Sequence, residues 1–255
     1  MATRLIATPT HAHRPQRVSS GASLSSTTLC DKTRPLLFRR PALTENTSYK
    51  GKVVFYHQNQ NAFLLGQEIG GNPDPRAVNK YNIIGGTCNA RETIIQCAAR
   101  ETCEETLGII SRQTLENVLC ALPNHCILSY VRNRKEYGKQ TKQHIFVFFV
   151  PFESVYSANT VSFVQEFYAR RKEFVQHKTR FIQKYFSGHS LTPDVCNEIV
   201  NVKWFSTKEM SKDNINTFFY NRIQYIECPQ YNKSYSFASF ANLLFTTPVP
   251  HYVVL

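Results

Sequence analysis

The sequence predicts an α/β (α+β) sandwich, built as one domain behind a disordered basic N-terminal tail. The predicted order of elements is strands, helix, strands, helix, strand and helix, which favours helices packed on a sheet. The 255 residues are 42% hydrophobic and 13% aromatic, which is enough for one sizeable core. We find no internal repeat. The longest apolar run, residues 145–152, is too short to span a bilayer.

The first part of the chain, residues 1–48, is rich in Ser, Thr, Pro, Arg and His and has no sustained apolar period. Such a segment buries too little apolar surface to offset its ordering entropy, so we predict a disordered tail. Its arginines and serines would also suit an organelle transit peptide, but the first fifteen residues form a poor amphipathic helix. We therefore prefer a cytoplasmic location, with the nucleus as an alternative. The eight cysteines form no C-x-x-C pair, so free thiols are expected.

The net charge of +12 is unevenly distributed. Residues 1–50 carry +6 and residues 130–184 carry +7, whereas residues 51–129 carry −1 and residues 185–255 are neutral. Two basic regions thus flank a slightly acidic centre. Because basic patches attract phosphate backbones and other anionic surfaces, a polyanionic partner is expected.

The folded domain is predicted at residues 49–255. Its first two strands, VVFY and AFLLG, flank a polar stretch and indicate a hairpin. The run YNII then leads into the Gly85-Gly86 turn. A basic helical insertion is expected at about residues 152–190. The predicted strands are, in chain order, residues 53–56, 62–66, 81–84, 127–131, 144–150 and 199–205.

A helix is predicted immediately after the glycine turn. Thr93 and Gln96 form a capping box, so the helix should begin at about residue 93 and run to about Leu107, with Gly108 as its stop. At 100° per residue, three glutamates share an arc of roughly a quarter of the helix circumference. These glutamates are Glu101, Glu104 and Glu105.

Three carboxylates this close together repel one another unless a cation neutralises them. Mg²⁺ or Mn²⁺ suits that need, because these hard ions prefer carboxylate and carbonyl oxygens and keep waters and phosphates as further ligands. Gly86 has no side chain and could present its backbone carbonyl to the same ion. The pattern therefore predicts a metal site that faces a polyphosphate.

The stretch GGTCNARETIIQCAARETCEETLGI, residues 85–109, resembles the Nudix box of the Nudix hydrolases. Gly86 is followed after five residues by Glu92, and after seven more by Arg100-Glu101-x-x-Glu104-Glu105. The resemblance implies a Nudix-type α/β/α sandwich with a mixed sheet. It also implies hydrolysis of the pyrophosphate link of nucleoside diphosphates joined to another moiety. The compact, basic, aromatic-rich chain is also similar to the Nudix decapping enzymes of some large DNA viruses.

The resemblance also implies the roles of the site residues. Glu101, Glu104 and Glu105 would hold Mg²⁺ or Mn²⁺ together with the Gly86 carbonyl. Arg100 would orient Glu101. Glu92 would support the loop through a salt bridge or a water, and the reaction would be attack of a metal-activated water on phosphorus.

Two positions depart from the family pattern. Two residues, Thr106 and Leu107, precede Gly108 where the family has one, and we expect the helix to lengthen by one residue without moving the carboxylates. Thr102 places a hydroxyl where an apolar packing residue is usual.

A second stretch, EIVNVKWFSTKEM at residues 198–210, resembles the late strand and following helix start of many Nudix domains. Ser206 with Glu209 would form another capping box. Glu198 could supply an extra catalytic carboxylate, as a base or a metal ligand. An exposed glutamate at the start of a strand is the alternative interpretation.

The substrate-binding prediction rests on two basic stretches. Arg132, Arg134 and Lys135 lie in a predicted loop at residues 132–142, and Arg170 and Arg171 lie in a helical stretch with interleaved aromatics. Arginines and aromatic faces together suit RNA, because they bind phosphates and bases. At near-helical spacing, however, the aromatics are better explained as the buried stripe of an amphipathic helix. They are Phe167, Phe174, Phe181 and Tyr185.

An acidic metal centre between basic regions favours a large polyanionic substrate, and removal of the 5′ cap from RNA is the preferred function. The first alternative is a small-molecule pyrophosphatase acting on ADP-ribose, dinucleotides, nucleoside triphosphates or diphosphoinositol polyphosphates. The second is a non-catalytic RNA-binding Nudix domain, which would not need so costly a cluster of carboxylates. The candidates for stacking on a base are Tyr56, Phe63, Tyr81 and Phe146.

Overall fold

The fold is seen in a computed structural model. It describes residues 37–39, 46–69, 80–123, 126–136, 139–187, 195–211, 213–216, 220–221, 225–228 and 233–246. The strands are β1 Thr47–His57, β2 Ala62–Glu68, β3 Tyr81–Asn82, β4 Ile84–Thr87, β5 Ile127–Glu136, β6 Lys139–Pro151, β7 Ile199–Ser206, β8 Tyr225–Cys228 and β9 Lys233–Ser236. The α-helices are α1 Ile94–Glu105, α2 Arg112–Ala121, α3 Thr160–Gln176, α4 Lys178–Tyr185 and α5 Phe237–Thr246.

Strand β1 lies at the centre of a mixed sheet that comprises seven of the described strands. It runs parallel to β6 from Thr47, opposite Lys142, to Tyr56, opposite Pro151. On its other side, β1 pairs antiparallel first with β4 and then with β2. Strand β5 continues the sheet beyond β6, and β7 continues it beyond β2. The predicted α+β architecture with a mixed sheet is thereby confirmed.

The first predicted hairpin is also confirmed. Phe55 lies opposite Leu64, and the turn that joins the strands has Asn61 in the left-handed region at φ 48°. Asparagine enters this region more easily than most residues, because its short polar side chain can bond to the local backbone. The YNII run divides at Ile83 into β3 and β4, and β4 pairs with β1.

Helix α1 begins as the capping box predicts. The Thr93 hydroxyl accepts a bond from the Gln96 N–H at 3.1 Å, and the Gln96 side chain accepts one from the Thr93 N–H at 3.0 Å. Its buried face packs against β1 so closely that a Cβ at Gly51 would lie 2.7 Å from the Ile94 carbonyl oxygen and 2.8 Å from the Ala98 nitrogen. The glycine in β1 therefore sets the distance between this helix and the sheet.

The end of α1 differs from the prediction. The helix ends at Glu105 rather than lengthening, and Leu107 takes the left-handed conformation at φ 56°, followed by Gly108 at φ 73°. The Gly108 N–H reaches back to the Cys103 carbonyl at 2.7 Å, and the Leu107 N–H bonds to the Glu104 carbonyl at 3.1 Å. The extra residue is thus absorbed in a tight C-terminal turn, which satisfies two carbonyls that the helix end leaves open.

Three further predictions need correction. The predicted basic loop at residues 132–142 belongs largely to the paired strands β5 and β6, in which Arg134 lies opposite Thr141. The second capping box closes a turn after β7 and not a helix, with the Glu209 carboxylate accepting the Ser206 N–H at 2.8 Å. The predicted tail contains Leu37, which is buried in the core, and β1 begins at Thr47.

The insertion contains two consecutive helices, α3 and α4, which meet at His177. His177 has φ −142° and ψ 54°, so it breaks the helical path that the sequence predicts as one stretch. Phe167, Phe174 and Phe181 are fully buried and Tyr185 is partly buried. The predicted buried stripe is therefore confirmed, and these aromatic rings are held by the protein core.

None of the helices in the described parts of the chain has both the length and the apolar character needed to cross a membrane.

Two buried threonines, one on α1 and one directly after its last residue, predict opposite effects of the same substitution on stability. The Thr102 side chain is fully buried, and its hydroxyl has no hydrogen-bond partner among the described residues. We expect Thr102→Val to raise the free energy of unfolding by about 1 kcal/mol, because valine has nearly the same shape without a polar atom to desolvate. Chemical denaturation of the two proteins measures the difference.

Thr106→Val is the matched control, because Thr106 is equally buried but its hydroxyl donates to the Thr102 carbonyl at 2.7 Å. This variant should lower the free energy of unfolding by about 1 kcal/mol. Equal destabilisation by both substitutions would show that the Thr102 hydroxyl has a partner.

Candidate active site

The site lies where the Gly85-Gly86 turn meets α1. Gly85 lies at φ 119°, a conformation that side chains rarely adopt, and Gly86 follows it in β4 opposite Gly51. A Cβ at Gly86 would overlap both carboxylate oxygens of Glu101. The glycine pair therefore allows the backbone to lie directly against the carboxylates of α1.

Arg100 is the centre of the polar network. Its Nε donates to Glu92 Oε1 at 2.6 Å, its Nη2 to Glu101 Oε1 at 2.8 Å, and its Nη1 to Glu104 Oε2 at 3.0 Å. Nη2 also donates to the Thr87 carbonyl at 3.2 Å. One guanidinium thus binds three carboxylates and the loop that precedes the helix.

Glu92 joins this network to the loop backbone. Its Oε2 accepts the Asn89 N–H at 3.0 Å while both its oxygens bind Arg100. Burial alone would raise the pKa of Glu92, but the bonds from Arg100 and from the Asn89 N–H outweigh it and lower that pKa. Burial alone would likewise lower the pKa of Arg100, but Glu92, Glu101 and Glu104 hold it above its usual value. Both groups are therefore charged.

Glu105 is buried beside the glycine turn. Its Oε2 accepts the Gly85 N–H at 2.6 Å. Burial raises the pKa of Glu105 to about 8, against the opposing effects of Lys52 and the Gly85 N–H. Burial also raises the pKa of Glu104 to about 7, with Arg100 opposing and Glu101 adding to the rise. The fold thus holds two carboxyl groups where their charged forms are poorly solvated.

The donor chemistry fits a hard divalent cation. Glu101 and Glu105 both reach the glycine turn, and buried carboxylates of like charge are stabilised by Mg²⁺ or Mn²⁺. In this structure Glu101 and Glu104 bind Arg100, and no three acidic, histidine or cysteine side chains of the described residues converge as a ligand set. The Gly86 carbonyl, a predicted metal ligand, accepts the Cys97 thiol at 3.7 Å.

Glu198 precedes β7 and faces the same acidic region. Partial desolvation, with the negative charges of Glu101 and Glu68 added, raises its pKa, although the residue as a whole is exposed. The charge of Glu198 in turn raises the pKa of Glu105. The structure therefore brings this predicted extra carboxylate into the electrostatic environment of the α1 glutamates.

Arg170 and Arg171, predicted to bind substrate, both contact the protein. Arg170 donates to the Leu107 carbonyl at 3.0 Å and pairs with Glu166 at 2.6 Å. Arg171 donates to the Asn197 side chain at 2.7 Å and to the Cys196 carbonyl at 3.4 Å. Their guanidinium groups thus anchor α3 to the rest of the domain.

The other predicted substrate residues, Arg132, Arg134 and Lys135, lie in β5, and their side chains fall outside the described part of the structure. Burial distinguishes the four aromatic residues that were candidates for stacking on a base. Three of them, Tyr56, Phe63 and Phe146, are buried in the core. Tyr81 is half-buried, with its ring 4.8 Å from that of Phe205 and its hydroxyl bonded to Asn201 at 2.7 Å.

Lys52 is a site residue that sequence reasoning missed. Its Nζ donates to the Gly85 carbonyl at 2.5 Å and to the Ile83 carbonyl at 3.3 Å, and its charge lowers the pKa of Glu105. The available signal was a lysine at the entrance of the apolar run VVFY, which becomes informative only once the pairing of β1 with β4 is known.

Residues 51–160 match the family model described as the NUDIX domain, a range that contains the glycine turn, α1 and the Arg100 network. The glycine turn and the carboxylate-bearing helix therefore lie in a NUDIX domain, the domain of the Nudix hydrolases, which spans residues 51–160 of the chain.

Solved structures give more distant likenesses. A MutT/nudix family protein from Enterococcus faecalis is 20% identical, with 49% of this chain and 45% of that chain covered and a TM-score of 0.28. A bifunctional NMN adenylyltransferase/ADP ribose pyrophosphatase from Francisella tularensis, complexed with AMP and a Mn ion, is 20% identical, with coverages of 46% and 31% and a TM-score of 0.29.

The E. coli ORF135 protein is 16% identical, with coverages of 44% and 65% and a TM-score of 0.27. The chain thus spans less than two thirds of each of these three solved chains. A comparison with curated proteins found no match.

The raised pKa values predict how stability depends on pH when no metal is bound. The folded-state pKa values of Glu104 and Glu105, about 7 and about 8, lie above the ordinary value of 4.5. Between these limits the folded state binds more protons than the unfolded state, so the free energy of unfolding falls as pH rises from about 5 to 8. Thermal melts of the protein in EDTA across this range should show a falling midpoint.

Glu105→Gln should flatten that profile, because it removes the group with the higher pKa. Glu116→Gln is the matched control: Glu116 lies on α2, where it pairs with Arg112 at 2.7 Å, so this variant should retain the wild-type slope. Identical slopes for the wild type and Glu105→Gln would show that the pKa of Glu105 is not raised in the folded protein.

Proposed function

We propose that this protein is a divalent-metal-dependent pyrophosphohydrolase that removes the 5′ cap from RNA by hydrolysing its pyrophosphate link. The observation that carries the hydrolase is the set of buried carboxylates that Arg100 and the Gly85 N–H hold at one turn. A surface role alone does not explain so many desolvated like charges, whereas a site for a cation and a polyphosphate does.

Glu101, Glu104 and Glu105 would hold Mg²⁺ or Mn²⁺, with the Gly86 carbonyl as a further candidate. The bound ion would supply acidification of the attacking water and neutralisation of phosphate charge. Arg100 orients Glu101 and Glu104 through bonds of 2.8 and 3.0 Å. Glu92 fixes Arg100 by accepting bonds from its Nε and Nη2 while it also accepts the Asn89 N–H of the loop.

Glu198 is the candidate to accept the proton of the attacking water. Its raised pKa places it closer to neutral pH than an ordinary glutamate, and its exposure leaves it reachable from solvent. A base works best when its pKa is near the working pH.

The RNA body would lie on the exposed cations of the insertion, and not on Arg170 and Arg171, which are used within the protein. We call Lys172, Lys178 and Arg180 the outer basic surface; all three are exposed on α3 and α4. Exposed cations on consecutive helices attract a phosphate backbone without selecting its sequence. The side chains of Arg132, Arg134 and Lys135 are further candidates for the same contact.

The internal contacts of Arg170 and Arg171 favour the small-molecule alternative, because they remove two cations from the RNA surface. A pyrophosphatase acting on ADP-ribose would use the same carboxylates and would need no extended basic surface. The substrates therefore have to be compared directly.

The first experiment compares hydrolysis of cap-labelled RNA with hydrolysis of ADP-ribose at matched concentrations in Mg²⁺ or Mn²⁺. We expect release of the capped nucleoside diphosphate from RNA, and a rate at least about 100-fold lower in Glu105→Gln, because removal of a ligand should cost more than removal of its supporting partners. Turnover of ADP-ribose beside inert RNA would instead identify a metabolite pyrophosphatase.

Glu116→Gln, with the same change of charge on α2, is the control and should retain the wild-type rate. RNA binding without hydrolysis of either substrate, unchanged in Glu105→Gln, would support the non-catalytic alternative and reject the enzyme.

A second experiment tests the outer basic surface. Replacement of Lys172, Lys178 and Arg180 by serine should weaken RNA binding and reduce the slope of log K against log salt by up to about 2, since each contact to a single strand contributes about 0.7. Replacing the exposed cations Arg39, Lys203 and Lys208 removes the same charge elsewhere and is the matched control. Equal slopes for the two triple variants would place the RNA on another surface.

A further inference from the structure

The turn that follows α1 requires support from outside the helix. Leu107 is a fully buried, non-glycine residue at φ 56°, and Gly108 follows at φ 73°. A left-handed conformation is unfavourable for a residue with a side chain. Such a conformation persists where neighbouring groups over-determine it.

The turn is tied directly to the backbone of the glutamate helix. The Leu107 N–H bonds to the Glu104 carbonyl at 3.1 Å, and the Gly108 N–H bonds to the Cys103 carbonyl at 2.7 Å. A change in the turn would therefore alter the last residues of α1, where Glu104 and Glu105 begin their side chains. The Leu107 carbonyl accepts a hydrogen bond from a side chain of α3.

That donor is Arg170, whose Nη1 lies 3.0 Å from the Leu107 carbonyl oxygen. The negative end of the helix dipole also stabilises a cation at this position. A Cβ added at Gly108 would lie 3.3 Å from the same Nη1, so guanidinium and turn are in close contact.

Arg170 is itself held by both helices of the insertion. Its Nη2 pairs with Glu166 on α3 at 2.6 Å, and its guanidinium stacks 4.3 Å from the ring centroid of Tyr185 on α4. Tyr156 fixes the other oxygen of Glu166 with a bond of 2.9 Å. An arginine restrained by a carboxylate and an aromatic face presents its remaining donors in one direction.

We propose that Arg170 is a positioning residue that joins the α3–α4 insertion to the end of α1 and fixes the carboxylates of Glu104 and Glu105 for cation binding. This inference rests on the proposed function, in which these carboxylates hold the metal. It assigns Arg170 to the metal site and not to the RNA, so the insertion supports catalysis as well as carrying the outer basic surface.

The test uses the full-length protein with Arg170→Met, Arg170→Lys and Arg171→Met. Arg171 is the matched control, because it is the next residue, is half-buried and anchors α3 to Asn197 and not to α1. Mn²⁺ affinity is measured by titration, and amide hydrogen exchange at residues 106–109 is measured in the metal-free protein.

Arg170→Met should weaken Mn²⁺ binding about 10-fold, a typical effect of losing a group that supports metal ligands. It should also speed exchange at residues 106–109 and lower kcat with the KM for RNA unchanged. Arg170→Lys, which retains a charged donor, should restore part of the affinity. Arg171→Met should leave Mn²⁺ affinity and this exchange unchanged.

Three results would overturn the proposal: a raised KM for RNA with unchanged Mn²⁺ affinity in Arg170→Met, equal loss of Mn²⁺ affinity in both methionine variants, or no recovery in Arg170→Lys. Failure of the proposed function is distinguishable, because it would appear as an inert wild type. If that inert protein still bound Mn²⁺ and did so more weakly in Arg170→Met, the positioning role would stand without the decapping activity.

Discussion

The site depends on the guanidinium of Arg100, which binds Glu92, Glu101 and Glu104 at once. Three carboxylates around one cation leave the cluster with a net negative charge, so the arginine organises the site without neutralising it. A planar group with several fixed donors can do this, whereas a lysine would supply a single point charge. The surplus charge is what makes the cluster attractive to a divalent ion.

Packing elsewhere in the fold offsets the free-energy cost of this negative charge. Glu104 and Glu105 are buried, and burial raises both their pKa values, so the metal-free protein holds two groups in an unfavourable environment. The close packing of α1 on Gly51 offsets this cost, because the apolar face of the helix is removed from water along much of its length. The helix therefore stabilises the domain with one face and concentrates charge on another.

The sequence predicted features whose physics is local. The capping box of Thr93 and the hairpin turn near Asn61 involve neighbouring residues, so each was found at its place. Contacts between distant segments could not be predicted. Lys52 reaches Gly85 only because β1 pairs with β4, and Arg170 of α3 reaches the Leu107 carbonyl in the turn after α1. A basic composition cannot distinguish a cation that faces solvent from one that binds a carbonyl.

The additional residue before Gly108 illustrates how a departure from a family pattern is accommodated. A longer helix would have rotated the following chain by 100° and moved it by 1.5 Å. Placing Leu107 in the left-handed region instead ends α1 at Glu105. The strain is balanced by two backbone bonds and by the burial of the leucine side chain. The insertion contributes the remaining donor, so an irregular helix end and an added pair of helices form one structural unit.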